Sequence, residues 1–413
     1  MNVKLKRLIK LFAASFLIII LLPSSTLITS AASDAKVYGY SPMLEDKGNI
    51  YYIQTVKGDD NTYNIVRLEI ATGNKTKLMS TKNDILNMMI HNKTLYYTSY
   101  DYDQNVGINR IYSLSLDSKD KKTVSNGSLI ALDDNNIYYT DTKDKGIKLY
   151  KREYNSKKAV LIHTGNTTFN FIKKLDDSLY FTQFNETSSK LTTYVLMPKQ
   201  TKLTVLTTDK VTLDGSEQTY PMVSDISKIN GDIYYQYGTF EGSGYYWYGT
   251  LIKLDSSSKK KTVIVEQTYE EKIYNNGSSI FFNYIDSSEK HFKYNTKTGK
   301  TSTYEYKVNG SESFDIIGDK TYSTKADGKA FITVSRFTSG TNKTNLEKSF
   351  IKLSVKQSKK YDYSADVIKY GDYLLIPVTC MDYNDTSYGW RGKCISIKWF
   401  VADSDGKVLA QFQ

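Results

Sequence analysis

After residue 32 the chain shows no helical periodicity, and one short pattern of polar and apolar positions returns along it instead. A turn of Asn, Asp, Gly or Lys is followed by an aliphatic residue and then by two aromatics. Gly48-Asn49 precedes Ile50-Tyr51-Tyr52, Asn92-Lys93 precedes Leu95-Tyr96-Tyr97, and the run Asp133 to Asn136 precedes Ile137-Tyr138-Tyr139. Asp176-Asp177 precedes Leu179-Tyr180-Phe181, Asn230-Gly231-Asp232 precedes Ile233-Tyr234-Tyr235, and Asn275-Asn276-Gly277 precedes Ile280-Phe281-Phe282. Two weaker copies close the series: Ala330-Phe331-Ile332 after Asp327-Gly328, and Tyr373-Leu374-Leu375 after Gly371-Asp372.

The copies recur about every 46 residues, the period of a propeller blade made of four short strands. The intervening pieces supply the other strands. Asp84 to Ile90 and Phe169 to Leu175 read as first strands, Ile65 to Leu68, Leu149 to Arg152 and Leu251 to Leu254 as third strands, and Lys202 to Leu206 and Thr262 to Val265 as fourth strands. Successive strand side chains point to opposite faces, so a doubled aromatic marks a strand buried on both sides. The pattern predicts an all-β fold over residues 33–413, a β-propeller of four-stranded antiparallel blades. Eight copies predict eight blades, starting near Val37 and ending with Lys407 to Gln413 as an outermost strand; seven blades with an appended hairpin is the alternative count. The long series argues against a β-sandwich.

The N-terminus has a different grammar. Lys4, Lys6, Arg7 and Lys10 precede an apolar run from Leu11 to Leu22, Pro23 breaks it, and Ser30-Ala31-Ala32 offers small side chains for cleavage. This is a secretory signal layout over residues 1–32, and the run is short of the roughly 20 apolar residues of a spanning helix. A membrane enters only if the signal stays uncleaved. Without those residues, 51 basic side chains face 44 acidic ones. Lysine supplies most of the surplus; Arg67, Arg110, Arg152, Arg336 and Arg391 are the arginines after residue 32. That balance suits an anionic extracellular polymer and disfavours nucleic acid, whose readers use the arginine fork. Abundant tyrosine and lysine and the signal type point to an AT-rich Gram-positive bacterium. Cys380 and Cys394 are the only cysteines, a candidate disulfide in an oxidising compartment or two packed thiols.

The third copy continues as Ile137-Tyr138-Tyr139-Thr140-Asp141. This resembles the Tyr-Trp-Thr-Asp signature of low-density-lipoprotein-receptor-like propellers, with Tyr139 in place of Trp, and similar domains of unknown function occur in secreted Gram-positive proteins. The resemblance implies extracellular protein or glycan binding without catalysis. The closing Asp is missing elsewhere, where Ile53-Gln54, Thr98-Ser99 or Gln236-Tyr237 stand, and such propellers have six blades rather than eight.

Propeller connections fall on two faces. Turns between first and second, and third and fourth, strands share one face. Lysine-rich segments assigned to third-to-fourth turns there are Lys75 and Lys77, Lys119 to Lys122, Lys157-Lys158, Lys259 to Lys261 and Lys359-Lys360. Loops between second and third strands, and between blades, share the other. Three of these are rich in aromatics: Tyr100 to Asn109 with Tyr100 and Tyr102; a stretch with Phe240, Tyr245, Tyr246 and Trp247; and the stretch between the cysteines with Tyr383, Tyr388, Trp390 and Arg391. Rings on hairpin loops stack on sugars or anchor peptides, so these ten residues are the candidate ligand-binding set.

Little points to chemistry. His91, His163 and His291 are the only histidines; none sits in a zinc-protease pair, and two fall in predicted strands, where packing is the expectation. Asp101-Tyr102-Asp103 departs from a calcium loop, with Val106 at the required glycine and Tyr112 at the bidentate glutamate. No phosphate loop or nucleophile elbow occurs. The expectation is a non-enzymatic, secreted or surface-associated binder of glycan, cell-wall polymer or protein, without cofactor or metal. A secreted propeller glycosidase or lyase and a membrane-tethered sensor or structural ectodomain are the rival readings.

Overall fold

The computed structural model describes residues 43–412 apart from 57–58, 104–105, 142–145, 168, 212–218, 242–245, 269–271, 284–289, 306–312, 318–319, 339–346 and 385–392. The proposed signal and the predicted start near Val37 lie outside the described residues.

The strands follow one another blade by blade. Blade 1 holds β1 (Met43–Asp46), β2 (Asn49–Val56), β3 (Asp59–Glu69) and β4 (Lys75–Thr81); blade 2 holds β5 (Asp84–His91), β6 (Thr94–Asp103), β7 (Val106–Ser115) and β8 (Lys121–Asn126). Blade 3 holds β9 (Ser128–Leu132), β10 (Asn136–Asp141), β11 (Ile147–Glu153) and β12 (Ala159–Gly165); blade 4 holds β13 (Phe169–Leu175), β14 (Ser178–Asn185), β15 (Lys190–Leu196) and β16 (Thr204–Lys210). Blade 5 holds β17 (Thr219–Ile229), β18 (Asp232–Glu241), β19 (Tyr246–Leu254) and β20 (Lys261–Thr268); blade 6 holds β21 (Tyr274–Asn275), β22 (Ser279–Asn283), β23 (Lys290–Asn295) and β24 (Thr301–Glu305). Blade 7 holds β25 (Ser313–Ile317), β26 (Lys320–Ala326), β27 (Phe331–Thr338) and β28 (Glu347–Ser354); blade 8 holds β29 (Asp362–Ala365), β30 (Ile368–Tyr370), β31 (Tyr373–Asp382), β32 (Lys393–Ala402) and β33 (Val408–Phe412). Each sheet is antiparallel in chain order, and the eight together form a β-propeller.

The last blade's first strand is split in two, and both β29 and β30 pair with β31. Pro377 of β31 explains the break. Its carbonyl accepts from Asp366 N, between the two pieces, and it has no N–H to return. The Val367 amide turns instead to Asp315 Oδ2 of blade 7, at 2.6 Å.

The core lies between blades, and the doubled aromatics build it in a fixed sense. Tyr51 packs with blade 2 beside Met88 and Tyr97, whereas Tyr52 packs with blade 8 beside Leu375 and Phe412. Tyr138 joins Phe169 and Phe181 of blade 4, and Tyr139 joins Met89 and Tyr96 of blade 2. Tyr234 faces blade 6 and Tyr235 faces blade 4. The first ring thus serves the next blade and the second ring the preceding one, as alternation along a strand requires.

The same rule corrects the two weak copies. Phe331 opens β27, the third strand of blade 7, so Asp327-Gly328 joins second to third strands. The second strand is β26, where Thr321-Tyr322-Ser323 occupies the motif and Tyr322 packs toward blade 8. In blade 8 the pattern sits one residue later than read, because Leu374 packs against blade 7 and Leu375 against blade 1. The count of eight stands, and the chain's final outermost strand is β33 as predicted.

Candidate functional site

The second and third strands that flank the three aromatic stretches open toward one face, and they are long. The second strands of blades 2, 5 and 8 each run 10 residues, against 8 in β2 and β14 and 7 in β26. Two extra residues add roughly 7 Å at about 3.4 Å each. Pairing continues to Asp103 opposite Val106, Glu241 opposite Tyr246 and Asp382 opposite Lys393. In the second of these, Phe240 stands opposite Trp247. Tyr102, Phe240, Tyr246 and Trp247 are placed by backbone register alone, and Tyr245, Tyr388, Trp390 and Arg391 lie outside the described residues. Tyr383 follows β31 and is 55% exposed.

Tyr100 behaves differently from a displayed ring. Its hydroxyl lies 1.8 Å from where a Cβ on Gly107 would be, so the ring folds across its own hairpin and occupies the space that glycine leaves. Asp101 next to it is buried, 5% exposed. It accepts from Asn83 Nδ2 (2.7 Å), Ser99 Oγ (2.9 Å), Arg110 Nη1 (3.4 Å) and the Tyr112 hydroxyl. Burial, then the Asp101 carboxylate, pushes the Tyr112 hydroxyl above its ordinary range. Lys121 Nζ stands 3.8 Å from the Tyr112 ring centroid. Asp101 is therefore a pin at the base of the β6–β7 hairpin.

Cys380 of β31 and Cys394 of β32 are unbonded thiols. Burial, with the neighbouring Cys380, pushes the Cys394 thiol up. Lys359-Lys360 belongs to the connection from β28 to β29 and so lies on this hairpin face rather than among the third-to-fourth turns; the misplaced seventh copy had reversed it. Lys360 Nζ reaches Asp382 Oδ2 at 3.6 Å, at the last pair of the β31–β32 ladder.

The opposite face, where the tight turns lie, holds a cleft of about 950 Å³ shared by blades 2, 3 and 4. Its floor is the turn before β10. Asp133 Oδ1 accepts from Asn135 N (2.8 Å) and Asn136 N (2.7 Å), a side-chain-closed turn, while Oδ2 accepts the Tyr138 hydroxyl at 2.5 Å. The Tyr154 hydroxyl donates to the Asp133 carbonyl at 2.6 Å. Burial first, then Asp133, pushes the Tyr138 hydroxyl far above its usual value; burial, then Tyr96 and Asp133, does the same to Tyr154. Tyr154 also stacks on His91 of blade 2, centroids 4.2 Å apart and planes within 3°. The far wall comes from blade 4: Lys174, Asp177 and the segment Met197-Pro198-Lys199. The sequence reading missed this cleft. Its one local signal was the run Asp133 to Asn136, two acids and two amides in a place where a turn needs fewer.

His163 packs as expected, edge-on to Phe169 at 5.0 Å and against Tyr194 at 4.9 Å, and burial lowers its pKa. His291 is placed only by its register opposite Asn283.

The fold and its surfaces define a class, an eight-bladed propeller with one face of long hairpins and one clefted face. No protein-family model matches the chain, and no curated protein does either. Solved structures are similar at low identity. A prolyl endopeptidase shares 11% identity over 87% of this chain and 56% of its own, with a TM-score of 0.48. The chain thus spans little more than half the length of that enzyme. The β-propeller domain of the Trilobed protease from Pyrococcus furiosus shares 11% identity over 79% of this chain and 95% of its own, with a TM-score of 0.41. A eukaryotic initiation factor shares 8% over 94% and 92%, with a TM-score of 0.48.

Proposed function

We propose that this chain is an exported, non-enzymatic propeller that binds an extracellular glycan, cell-wall polymer or protein with its hairpin face. The observation that carries the reading is that the 10-residue second strands of blades 2, 5 and 8 lead into the aromatic loops. Blades 2, 5 and 8 raise their second and third strands on one face, and those tips hold Phe240, Trp247, Tyr383 and Trp390 in sequence. Rigid aromatic side chains lose little entropy on docking and bury large areas, about 150–250 Å² each. Around the ring of eight the three hairpins are three, three and two blades apart, which favours a broad ligand over a small molecule. The signal-like residues 1–32 and the modest basic surplus fit an extracellular setting.

Co-sedimentation of residues 33–413 with purified cell walls and insoluble polysaccharides tests it, at low salt and at about 0.5 M salt, where exposed charges are screened within a few Å. Binding that survives salt and disappears in the double variant Trp247→Ala with Trp390→Ala supports the hairpin face. Binding that salt abolishes and the variant keeps assigns the surface to lysines instead. Hydrolysis or cleavage of any polysaccharide by the pure protein overturns the non-enzymatic reading.

A further inference from the structure

The cleft on the turn face carries an inference independent of the hairpin face. Small-ligand sites are concave, bury most of the ligand and place a few polar groups among apolar ones, with volumes of about 300–1,000 Å³. At about 950 Å³ this cleft lies at the upper end, large enough for more than one ring. Its walls are held before any ligand arrives. Tyr154 is fixed by its stack on His91 and its bond to the Asp133 carbonyl, and the Asn92 amide lies 2.7 Å from His91 Nε2. Tyr96 meets Tyr154 at 5.5 Å and 46°, extending the aromatic wall. Such pre-organisation lowers the ordering cost of binding.

Charge then selects the ligand class. Asp133 accepts from the neutral donors of its own turn, which occupy its oxygens but leave its negative charge in place. With it the lining holds Asp134, Glu153 and Asp177 against Lys151, Lys174 and Lys199, four carboxylates and three ammoniums, within one charge of balance. Neither a polyanion nor a polycation is favoured by that balance. Interleaved with them are exposed amides, Asn92, Asn135 and Asn155, which donate and accept at the same point. Close alternation of donors, acceptors and aromatic or apolar surface (Tyr96, Tyr154, Met197, Pro198) matches a ligand whose hydroxyls alternate with C–H faces.

We propose that the cleft between blades 2, 3 and 4 binds an uncharged oligosaccharide, with the His91–Tyr154–Tyr96 wall on one side and Met197-Pro198 on the other. The hairpin face would then hold a broad extracellular partner while the turn face takes a short neutral sugar chain.

The test is calorimetric titration of the full mature chain with soluble chitohexaose, xylohexaose and maltohexaose, alongside anionic oligogalacturonate and cationic chitosan oligomers. The variants are Asp134→Ala with Asp177→Ala, two exposed carboxylates at the rim, and Tyr154→Ala, with melting curves run on each. Binding of at least one neutral hexamer, weakened tenfold or more by the rim double variant and unaffected by Trp247→Ala with Trp390→Ala, is the expected result. The proposal is overturned if no neutral hexamer binds, if only charged oligomers bind, or if the rim variant, melting as the parent does, retains full affinity. Loss of hexamer binding in the tryptophan variant would move the site to the hairpin face and overturn it as well. Hydrogen exchange gives the second readout: protection on hexamer binding should concentrate at residues 91–92, 133–136 and 197–199.

Discussion

The hydroxyl of Tyr370 donates to the carbonyl of Met43, 327 positions earlier in the chain, and so ties the first strand of blade 1 to the first strand of blade 8. Around this bond the two blades share one apolar cluster in which Tyr52 meets Phe412 at 4.7 Å, and Phe412 lies parallel to Trp399 at 6.1 Å. The ring is thus shut by side chains. Phe412→Ala should cost about 3–4 kcal/mol, the usual range for emptying a buried ring site, and Tyr370→Phe about 1 kcal/mol. Urea denaturation of the two variants measures the contrast; equal effects would mean that the cluster is not what closes the ring.

Asp225 joins three blades. Its carboxylate accepts from Lys173 Nζ of blade 4 at 3.1 Å and from Ile273 N of blade 6 at 2.9 Å, and only 14% of the Lys173 side chain is exposed. Asp225→Ala leaves a nearly buried ammonium and a buried amide without this acceptor, so about 3 kcal/mol of stability should go. Asp225→Ala combined with Lys173→Met should recover part of it. A double variant no better than the single one, compared by chemical denaturation, would rule out the ion pair as the source of the loss.

His163 makes stability depend on pH. Burial lowers its folded pKa below the ordinary 6.5, so the unfolded chain takes up a proton first as the pH falls. Its contribution is full above about pH 6.5 and is lost as the pH drops through the folded value. The urea midpoint of the parent protein should therefore decline below about pH 6.5 more steeply than that of His163→Gln. Parallel profiles would remove His163 from the account.

Gly107 is required by a neighbour rather than by its own backbone. A methyl there would overlap the end of the half-buried Tyr100 ring, which must swing aside, so Gly107→Ala should destabilise by about 1 kcal/mol, the low end of the cost of overpacking. Tyr100→Ala in the same chain removes the overlap. If thermal melting of the double variant shows no relief, the clash lies elsewhere.

The blades were legible in the sequence because their middle strands are buried on both faces, which forces the doubled rings of Tyr51-Tyr52 or Tyr138-Tyr139 and leaves a mark that survives without neighbours. Blade 7 hid because Thr321-Tyr322-Ser323 carries a single ring. Thr324 beside it gives its hydroxyl to the Ala365 carbonyl of blade 8, so part of that contact is polar where other blades use rings. Asp327-Gly328 before Phe331 then offered a false match, and Lys359-Lys360 went to the wrong face with it. Tyr383 at its hairpin was legible from composition, whereas the fold of Tyr100 onto Gly107 was not. The cleft was not legible because its parts, from His91 to Lys199, belong to turns of three blades and meet only when the ring forms.

A seam made of side chains also has a mechanical meaning. Among the described residues every blade is completed by its own stretch of chain, with β1 to β4 in one sheet and β29 to β33 in another. Tension applied between residues 43 and 412 would load the Tyr370–Met43 bond and the ring packing around it before the backbone ladders within the blades. The ring would open there like a clasp, with all eight sheets still folded, and close again when the load was removed.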